Sequence, residues 1–404
     1  MHVDPPRAEN FIISTTDIWT GRWSDPVYFD FEGIDPSLLF DDGKVYVQGS
    51  RGPGPKTRIQ QFEVDITTGE KLSDERTVWR GTGGEWAEGP HVYRRDGWYY
   101  LLISEGGTHE GHMVTVARSR DVWGPYEACP DNPILTARGT SEYVQHTGHC
   151  DIFEDEDGNW WGVCLGARKD GEGRYVLGRE SFLTRVAWDG DWPTFDRVTM
   201  NIEGVKRSEG TALSAAPDVD FVYIRDPDLS RYTLSSDGTA TLMSSTTDLS
   251  DPEASPTFLG KRQRRLEGTG SVTIRHDGGI PWSDAGLRAG IACYKDEHRY
   301  LRIYLDATAG RVVFECINTA KGISKTGGVN VEVKDGSAVK FQLEYTEQEY
   351  KLWYGVGGDG ELACLGEVDT LDLTGPDFVG PVIGAFAVSK TEGCLIECSE
   401  LVVE

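Results

Sequence analysis

One pattern recurs three times in the first half of this chain, and it limits the fold more than any other feature of the sequence. Asp35-Pro36-Ser37-Leu38-Leu39-Phe40 leads to Asp42-Gly43 and then Val45-Tyr46-Val47. Glu88-Gly89-Pro90-His91-Val92-Tyr93 leads to Asp96-Gly97 and the run Trp98 to Glu105. His149-Cys150-Asp151-Ile152-Phe153 leads to Asp157-Gly158 and Trp160-Trp161-Gly162-Val163. Each copy reads as a strand, a tight turn and a buried return strand. Asp-Gly supplies the positive φ that two-residue hairpins need, and the return segments are short apolar runs rich in aromatic and β-branched residues. Asp35 stands eight residues before its turn glycine; Glu88 and His149 stand nine before theirs. Hairpin repeats spaced by roughly 40–50 residues or more point to the blades of a propeller. The innermost strand of every blade lines the axis, so equivalent positions converge there. The pattern therefore predicts that Asp35, Glu88 and His149 meet at one end of that axis. Three unrelated hairpins in a β-rich chain are the alternative.

At 404 residues the chain is long for a single core, and two domains are expected. No stretch is apolar and long enough for a membrane helix. A formal net charge of −26 argues against nucleic acid, which requires basic patches. None of the eight cysteines forms a Cys-x-x-Cys pair, so a cysteine zinc site is not expected. No secretory signal follows Met1 and no Asn-x-Ser/Thr acceptor occurs, which leaves the location open between extracellular and cytoplasmic.

The two halves differ in composition. Ten of the twelve tryptophans precede Phe195. Residues 206 to 217 are small and polar, as in a linker. Beyond them Ser271 to Arg275, Tyr300 to Tyr304, Val339 to Tyr345 and Tyr350 to Tyr354 alternate polar and apolar residues. Strands with one apolar face, separated by turns, read as a two-sheet sandwich. No segment has a convincing helical period, so few helices are expected. The division expected is residues 1–205 for a partial propeller and residues 206–404 for a β-sandwich.

Two carboxylates facing a cleft are the usual equipment for cleaving a glycosidic bond: one protonates the leaving oxygen, the other activates water or attacks the sugar. Glu88, close to Trp86 and followed by Gly-Pro, fits the donor; a solvated strand-end glutamate is the other reading. Asp35 before Pro36 is either a catalytic carboxylate or a turn former. His149 either holds a cation or water on the axis, or is a core histidine with its hydrogen bonds satisfied. Neither a phosphate-binding Gly-rich loop nor a Gly-x-Ser-x-Gly elbow is present.

Several motifs together resemble one family. Trp23 to Tyr28, Gly33 to Leu38, Glu88 to Tyr93, Ser104 to Thr108, Ala117 to Arg120, Asn132 to Leu135 and Leu177 to Glu180 are similar to motifs of glycoside hydrolase family 43, in its branch of β-xylosidases and α-L-arabinofuranosidases. Phe258 to Gln263 and Ala285 to Tyr294 resemble that branch's C-terminal concanavalin-like sandwich. The resemblance implies an all-β chain, a five-bladed propeller followed by the sandwich, and an inverting hydrolysis of terminal xylose or arabinose from xylo-oligosaccharides or arabinoxylan. It implies no cofactor for the chemistry. By the same resemblance Glu88 is the general acid and Asp35 the aspartate that tunes and orients it. Arg179 holds the sugar in the innermost subsite; Trp86, near Glu88 in the sequence, is expected to bind substrate too. His149 is the axial histidine associated with a structural calcium or water. Phe378, in the loop from Gly375 to Gly380, reaches over the active site, so the sandwich is expected to contribute to the pocket rim.

The family places its general base on an Asp-Pro motif of blade one. Here Phe11 already matches a later strand, so the first blade and most of the second are expected to be missing. Asp4, in His2-Val3-Asp4-Pro5, imitates the motif without the blade that should follow it. The expectation is a glycosidase with little or no activity as written. A non-catalytic carbohydrate-binding protein is the main alternative, and an interaction scaffold without a sugar site is a third reading.

Overall fold

The computed structural model describes residues 9–18, 21–205, 221–236, 238–276, 281–333, 337–357, 361–375 and 378–404. Asp4 and the expected linker at 206–217 lie outside the described residues. The chain forms two compact units, residues 1–169 with 180–207, and residues 170–179 with 208–404. Residues 170–179 thus group with the second unit, not with the first half to which the sequence reading assigned them.

The first unit consists of antiparallel meanders. A two-stranded piece, β1 (Asn10–Ile12) and β2 (Val27–Phe29), comes first. Three sheets follow in chain order. The first contains β3 (Ile34–Asp41), β4 (Lys44–Arg51), β5 (Arg58–Glu63) and β6 (Arg76–Trp79). The second contains β7 (Glu88–Arg95), β8 (Trp98–Glu105), β9 (Met113–Ser119) and β10 (Glu127–Ala128), with β11 (Leu135–Thr136) added to β9. The third contains β12 (Val144–Glu154), β13 (Trp160–Arg168), β14 (Glu180–Ala187) and β15 (Thr194–Phe195).

The turn residues explain the registers. Asp42 and Gly43 have φ of 47° and 76°, and Asp96 and Gly97 have 50° and 73°. Two successive positive φ values are the requirement of a type I′ turn, whose twist matches that of the flanking strands. The third hairpin closes differently. Glu154 pairs with Trp160, so five residues form its loop. The Asp155 carboxylate organises that loop by accepting the Trp161 indole N–H, the Asn159 side-chain amide and the backbone N–H groups of Asp157 and Asn159, and the first two of these do most to hold its pKa down at about 2.

Strand β8 shows why its sequence is apolar without alternation. Leu101 and Ile103 pack into a cluster with Leu39, Tyr46, Ile59 and Trp79 of the first sheet. Tyr100 and Leu102 pack on the opposite side with Ile152, Cys164 and Phe182 of the third sheet and Trp188 just beyond it. A strand covered on both faces has no polar side to display. The first strands of adjacent sheets are also joined directly. Ser37 Oγ donates to the Pro90 carbonyl at 2.5 Å, and Tyr93 Oη donates to Asp151 Oδ1 at 2.5 Å.

The second unit is a two-sheet sandwich. Its strands are β16 (Tyr232–Leu234), β17 (Ala240–Met243), β18 (Phe258–Arg262), β19 (Gly268–His276), β20 (Arg288–Asp296), β21 (Arg299–Asp306) and β22 (Arg311–Asn318). They continue with β23 (Ile323–Asn330), β24 (Val339–Tyr345), β25 (Glu349–Val356), β26 (Ala363–Asp369), β27 (Val382–Val388) and β28 (Leu395–Val403). One sheet has the order β16-β17-β28-β19-β24-β25-β26, the other β18-β27-β20-β21-β22-β23. Val272, Phe341 and Leu343 of one meet Leu259, Ile291, Leu301 and Ile383 of the other in a continuous core. The six-stranded sheet is covered on its outer face as well, by Leu249 with Phe258, Tyr304 and Phe386. The buried Arg302 is neutralised there by Asp248 and Glu315, each at 2.6 Å. A buried guanidinium is tolerated only when paired in this way.

Among the described residues the helical content is one α-helical turn, α1 (Trp282–Ala285), and three short 3-10 turns. No helix among them is long and apolar enough to cross a membrane.

Seven of the eight cysteines are buried and Cys364 is exposed. Burial pushes the Cys164 and Cys398 thiols up to about 12. An aromatic disulfide reagent should therefore modify one thiol rapidly in the native protein and the remainder only in denaturant. Fast reaction of several thiols without denaturant would contradict this packing.

Candidate active site

The site is built from one local device used three times. In β3, Ile34 pairs with Ser50 and Ser37 with Gln48, so Asp35 and Pro36 together face one partner residue. In β7, Glu88 pairs with Ser104 and His91 with Leu102, so Gly89 and Pro90 do the same. In β12, Gly148 pairs with Leu165 and Asp151 with Val163, so His149 and Cys150 do the same. These are β-bulges, and their first residues, Asp35, Gly89 and His149, have φ of 54°, 56° and 49°. A bulge opened by a left-handed residue bends the strand and re-aims its side chains.

This geometry refines the repeat. The position equivalent to Asp35 is Gly89, eight residues before its turn glycine, and Glu88 lies one residue earlier. His149 is nine residues away because the third hairpin has the longer loop, with its glycine fourth in it, and an arm one residue shorter. The offset shared by Glu88 and His149 in the sequence is thus a coincidence of turn length.

The side chains nonetheless come together. The Gly89 N–H donates to Asp35 Oδ2 at 3.1 Å. His149 Nε2 lies 4.0 Å from the same oxygen. Glu88, His149 and His112 each bring one ligand-type atom within 4.8 Å of the other two. Gly89 is required at its position for two reasons. Its φ is positive, and an added Cβ would stand 2.9 Å from His149 Nε2. The His149 backbone N–H is fixed by Ser104 Oγ on β8.

Neighbouring groups hold this arrangement. Glu105, fully buried at the end of β8, accepts hydrogen bonds from Thr82 N and Oγ1, Gly84 N and Thr115 Oγ1. It thereby fixes the loop that leads to Trp86 and Glu88. Trp86 itself has φ 59° and is 37% exposed, with its N–H on the Pro55 carbonyl at 2.9 Å. Behind the site, burial pushes the Tyr93 hydroxyl well above its ordinary range, so it stays a donor to Asp151. Burial also lowers the pKa of His91, against the opposing pull of Asp151 at 3.8 Å.

Arg179 and Phe378 belong to the second unit, where the guanidinium stacks on the phenyl ring at 4.3 Å. Residues 376 and 377 of the Phe378 loop lie outside the described residues. His112 and Ser104 escaped the sequence reading. Neither stands at a chemically marked spacing: Ser104 reaches the bulge by pairing with Glu88, and His112, just before β9, is held by its Nδ1 on the His146 carbonyl and by its seat on Gly148.

Two carboxylates at such a bulge suit acid–base work on a polar substrate. Calcium fits less well. It takes six to eight oxygen ligands, whereas the Glu88-His112-His149 set offers two imidazoles and one carboxylate.

Comparison with known proteins adds independent findings. The model of glycosyl hydrolases family 43 matches residues 3–193, and that of the beta xylosidase C-terminal concanavalin A-like domain matches residues 214–396. A xylosidase/arabinosidase from Butyrivibrio fibrisolvens is 30% identical over 98% of this chain and 81% of its own length. The non-reducing end alpha-L-arabinofuranosidase BoGH43B from Bacteroides ovatus is 29% identical over 91% of this chain and 71% of its own. Among solved structures, the GH43 BlXynB protein from Bacillus licheniformis superposes with a TM-score of 0.82 at 27% identity, covering 97% of this chain and 79% of that one. These neighbours imply a propeller for the three meanders and agree with the sandwich.

Two substitutions test the local architecture. Gly89→Ala should cost about 1–3 kcal/mol, from left-handed strain and the displaced imidazole. Glu105→Ala should cost about 3 kcal/mol or more, because buried donors lose their acceptor. Both are read as a lower urea midpoint at unchanged slope; parent-like midpoints would contradict the bulge and anchor described.

Proposed function

The chain belongs to glycosyl hydrolase family 43, and on that premise we propose that it releases terminal xylose or arabinose from xylo-oligosaccharides or arabinoxylan by an inverting mechanism. It is a glycosidase by family; the choice of sugar, the stereochemistry and a five-bladed ring are parts of the proposal. The observation that carries it is the meeting of Asp35, Gly89 and His149 at the bulges, with Glu88 beside them.

Glu88 is the proton donor to the leaving oxygen. As that bond breaks, positive charge develops on the sugar ring, and water attacks the opposite face. Asp35 positions the donor's strand: its carboxylate takes the N–H of Gly89, the residue next to Glu88. Trp86 offers an aromatic surface of the kind sugars stack on. Arg179 and Phe378 are the proposed sugar-binding pair. The base that deprotonates the attacking water is assigned to none of the described residues. No step requires a cofactor.

Nitrophenyl β-xyloside and nitrophenyl α-arabinofuranoside should both be assayed, with xylose and arabinose binding followed by calorimetry. Glu88→Gln should lower kcat by roughly 10²–10⁴-fold with the melting temperature unchanged. Arg179→Ala should raise KM more than it lowers kcat. Sugar binding without turnover in the parent chain would replace hydrolysis by carbohydrate binding, and neither binding nor turnover would remove the site.

A further inference from the structure

Residues 170–179 stand between β13 and β14 in the chain yet group with residues 208–404. Arg174, in the middle of this segment, is 6% exposed. Its Nε donates to Thr370 Oγ1 at 3.1 Å and its Nη2 to Asp369 Oδ1 at 3.1 Å. Its Nη1 donates to Asp170 Oδ2 at 2.9 Å and Glu172 Oε2 at 2.8 Å. Asp170 and Glu172 lie in the segment itself, whereas Asp369 and Thr370 stand 195 and 196 residues after Arg174, at the end of β26. The distant acceptors are themselves held: Thr370 Oγ1 donates to the Glu347 carbonyl at 2.6 Å, and Asp369 Oδ1 accepts the Leu371 N–H at 2.8 Å. Charge-assisted bonds in a planar fork fix geometry as well as energy. Beyond Arg174 the segment runs through the buried Val176 and Leu177 to the loop of Phe378. Gly178 has φ 66°, and a Cβ on it would stand 2.6 Å from the Val379 carbonyl oxygen. A Cβ on Gly380 would stand 2.6 Å from the Leu177 carbonyl oxygen. Two glycines thus let the two backbones touch, and the Arg179 guanidinium rests 4.3 Å from the Phe378 ring centroid.

We propose that Arg174 is the positioning residue for Arg179: its buried hydrogen bonds fasten the segment so that the Arg179 guanidinium is presented on the Phe378 ring, in one orientation, to a sugar. The presentation to a sugar rests on the reading of Arg179 and Phe378 as a sugar-binding pair; the positioning does not. An arginine stem is long and rich in rotamers, so ordering it only when a ligand arrives weakens binding. A backbone fastened on one side by Arg174 and on the other by the glycine contacts removes part of that cost in advance. Lysine in place of Arg174 keeps the charge but loses the fork that reaches Asp170, Asp369 and Thr370 together.

The full chain should be compared with Arg174→Lys and Asp369→Asn by proton–nitrogen NMR of the arginine Nε–H groups, a measurement that needs no turnover. The Arg179 resonance is identified by its loss in Arg179→Lys, and the ring-current share of its shift by Phe378→Leu. Both anchor variants should move that resonance toward its position in Phe378→Leu. They should also raise KM for a nitrophenyl glycoside at least about threefold with kcat little changed, and raise it no further in an Arg179→Ala background, where nothing is left to position. Melting curves check folding, and the nearly isosteric Asp369→Asn keeps the test decisive if Arg174→Lys does not fold. A parent-like Arg179 resonance in the folded variants would overturn the proposal. So would an equal rise in KM in the Arg179→Ala background, the mark of a general structural role. A displaced resonance together with a parent-like KM in Arg179→Ala would uphold the positioning and remove the sugar-binding reading instead.

Discussion

The site depends on the backbone turning left-handed at the same point of three neighbouring strands. Two of those residues, Asp35 and His149, carry side chains, and each costs on the order of 1–2 kcal/mol to hold there. The third is Gly89, and its missing side chain is what admits the His149 ring beside the Asp35 carboxylate. A flat ladder would send alternate residues to opposite faces of each sheet. The bulge breaks that alternation once per strand, so an acid, a glycine amide and an imidazole gather at one place. Packing of β8 on both of its neighbours keeps the three strands at a fixed separation, which makes the gathering a rigid one.

Much of this was legible in the sequence. Asp-Gly before an apolar run fixed two hairpins, since few other dipeptides accept two positive φ values in succession. Alternation in Val339 to Tyr345 announced the sandwich, and the observed burial follows it residue by residue. Other features were hidden for identifiable reasons. A bulge has no sequence signature when its left-handed residue is Asp or His, so Glu88 was aligned with Asp35 where Gly89 belongs. The longer loop at Asp155 then made the wrong offset look consistent. His112 joins the site only through a tertiary contact with the His146 carbonyl, and residues 170–179 group with the sandwich unit through contacts that no local pattern encodes.

Charge is handled in two ways in this molecule. In the sandwich, Arg302 is surrounded by carboxylates and sealed from water. In the meander unit Glu105 is equally buried, but it is satisfied by amides and hydroxyls of a loop. A carboxylate held by neutral donors ties a loop in place without a countercharge. The loop it orders is the one that carries Trp86 to the edge of the site.

The distance from bulge to turn is a ruler with its zero at the hairpin. A type I′ turn does not slip, so residues counted back from Gly43 or Gly97 arrive at a fixed height along the strand. One residue inserted in that arm would swing every later side chain to the opposite face; two would restore the face but move the carboxylate by about 6.6 Å. Lengthening on the far side of the turn disturbs neither. The first two arms, of equal length, are therefore constrained in length more tightly than in composition, and their evolution should proceed by exchange of residues within the arm and by insertion only outside it.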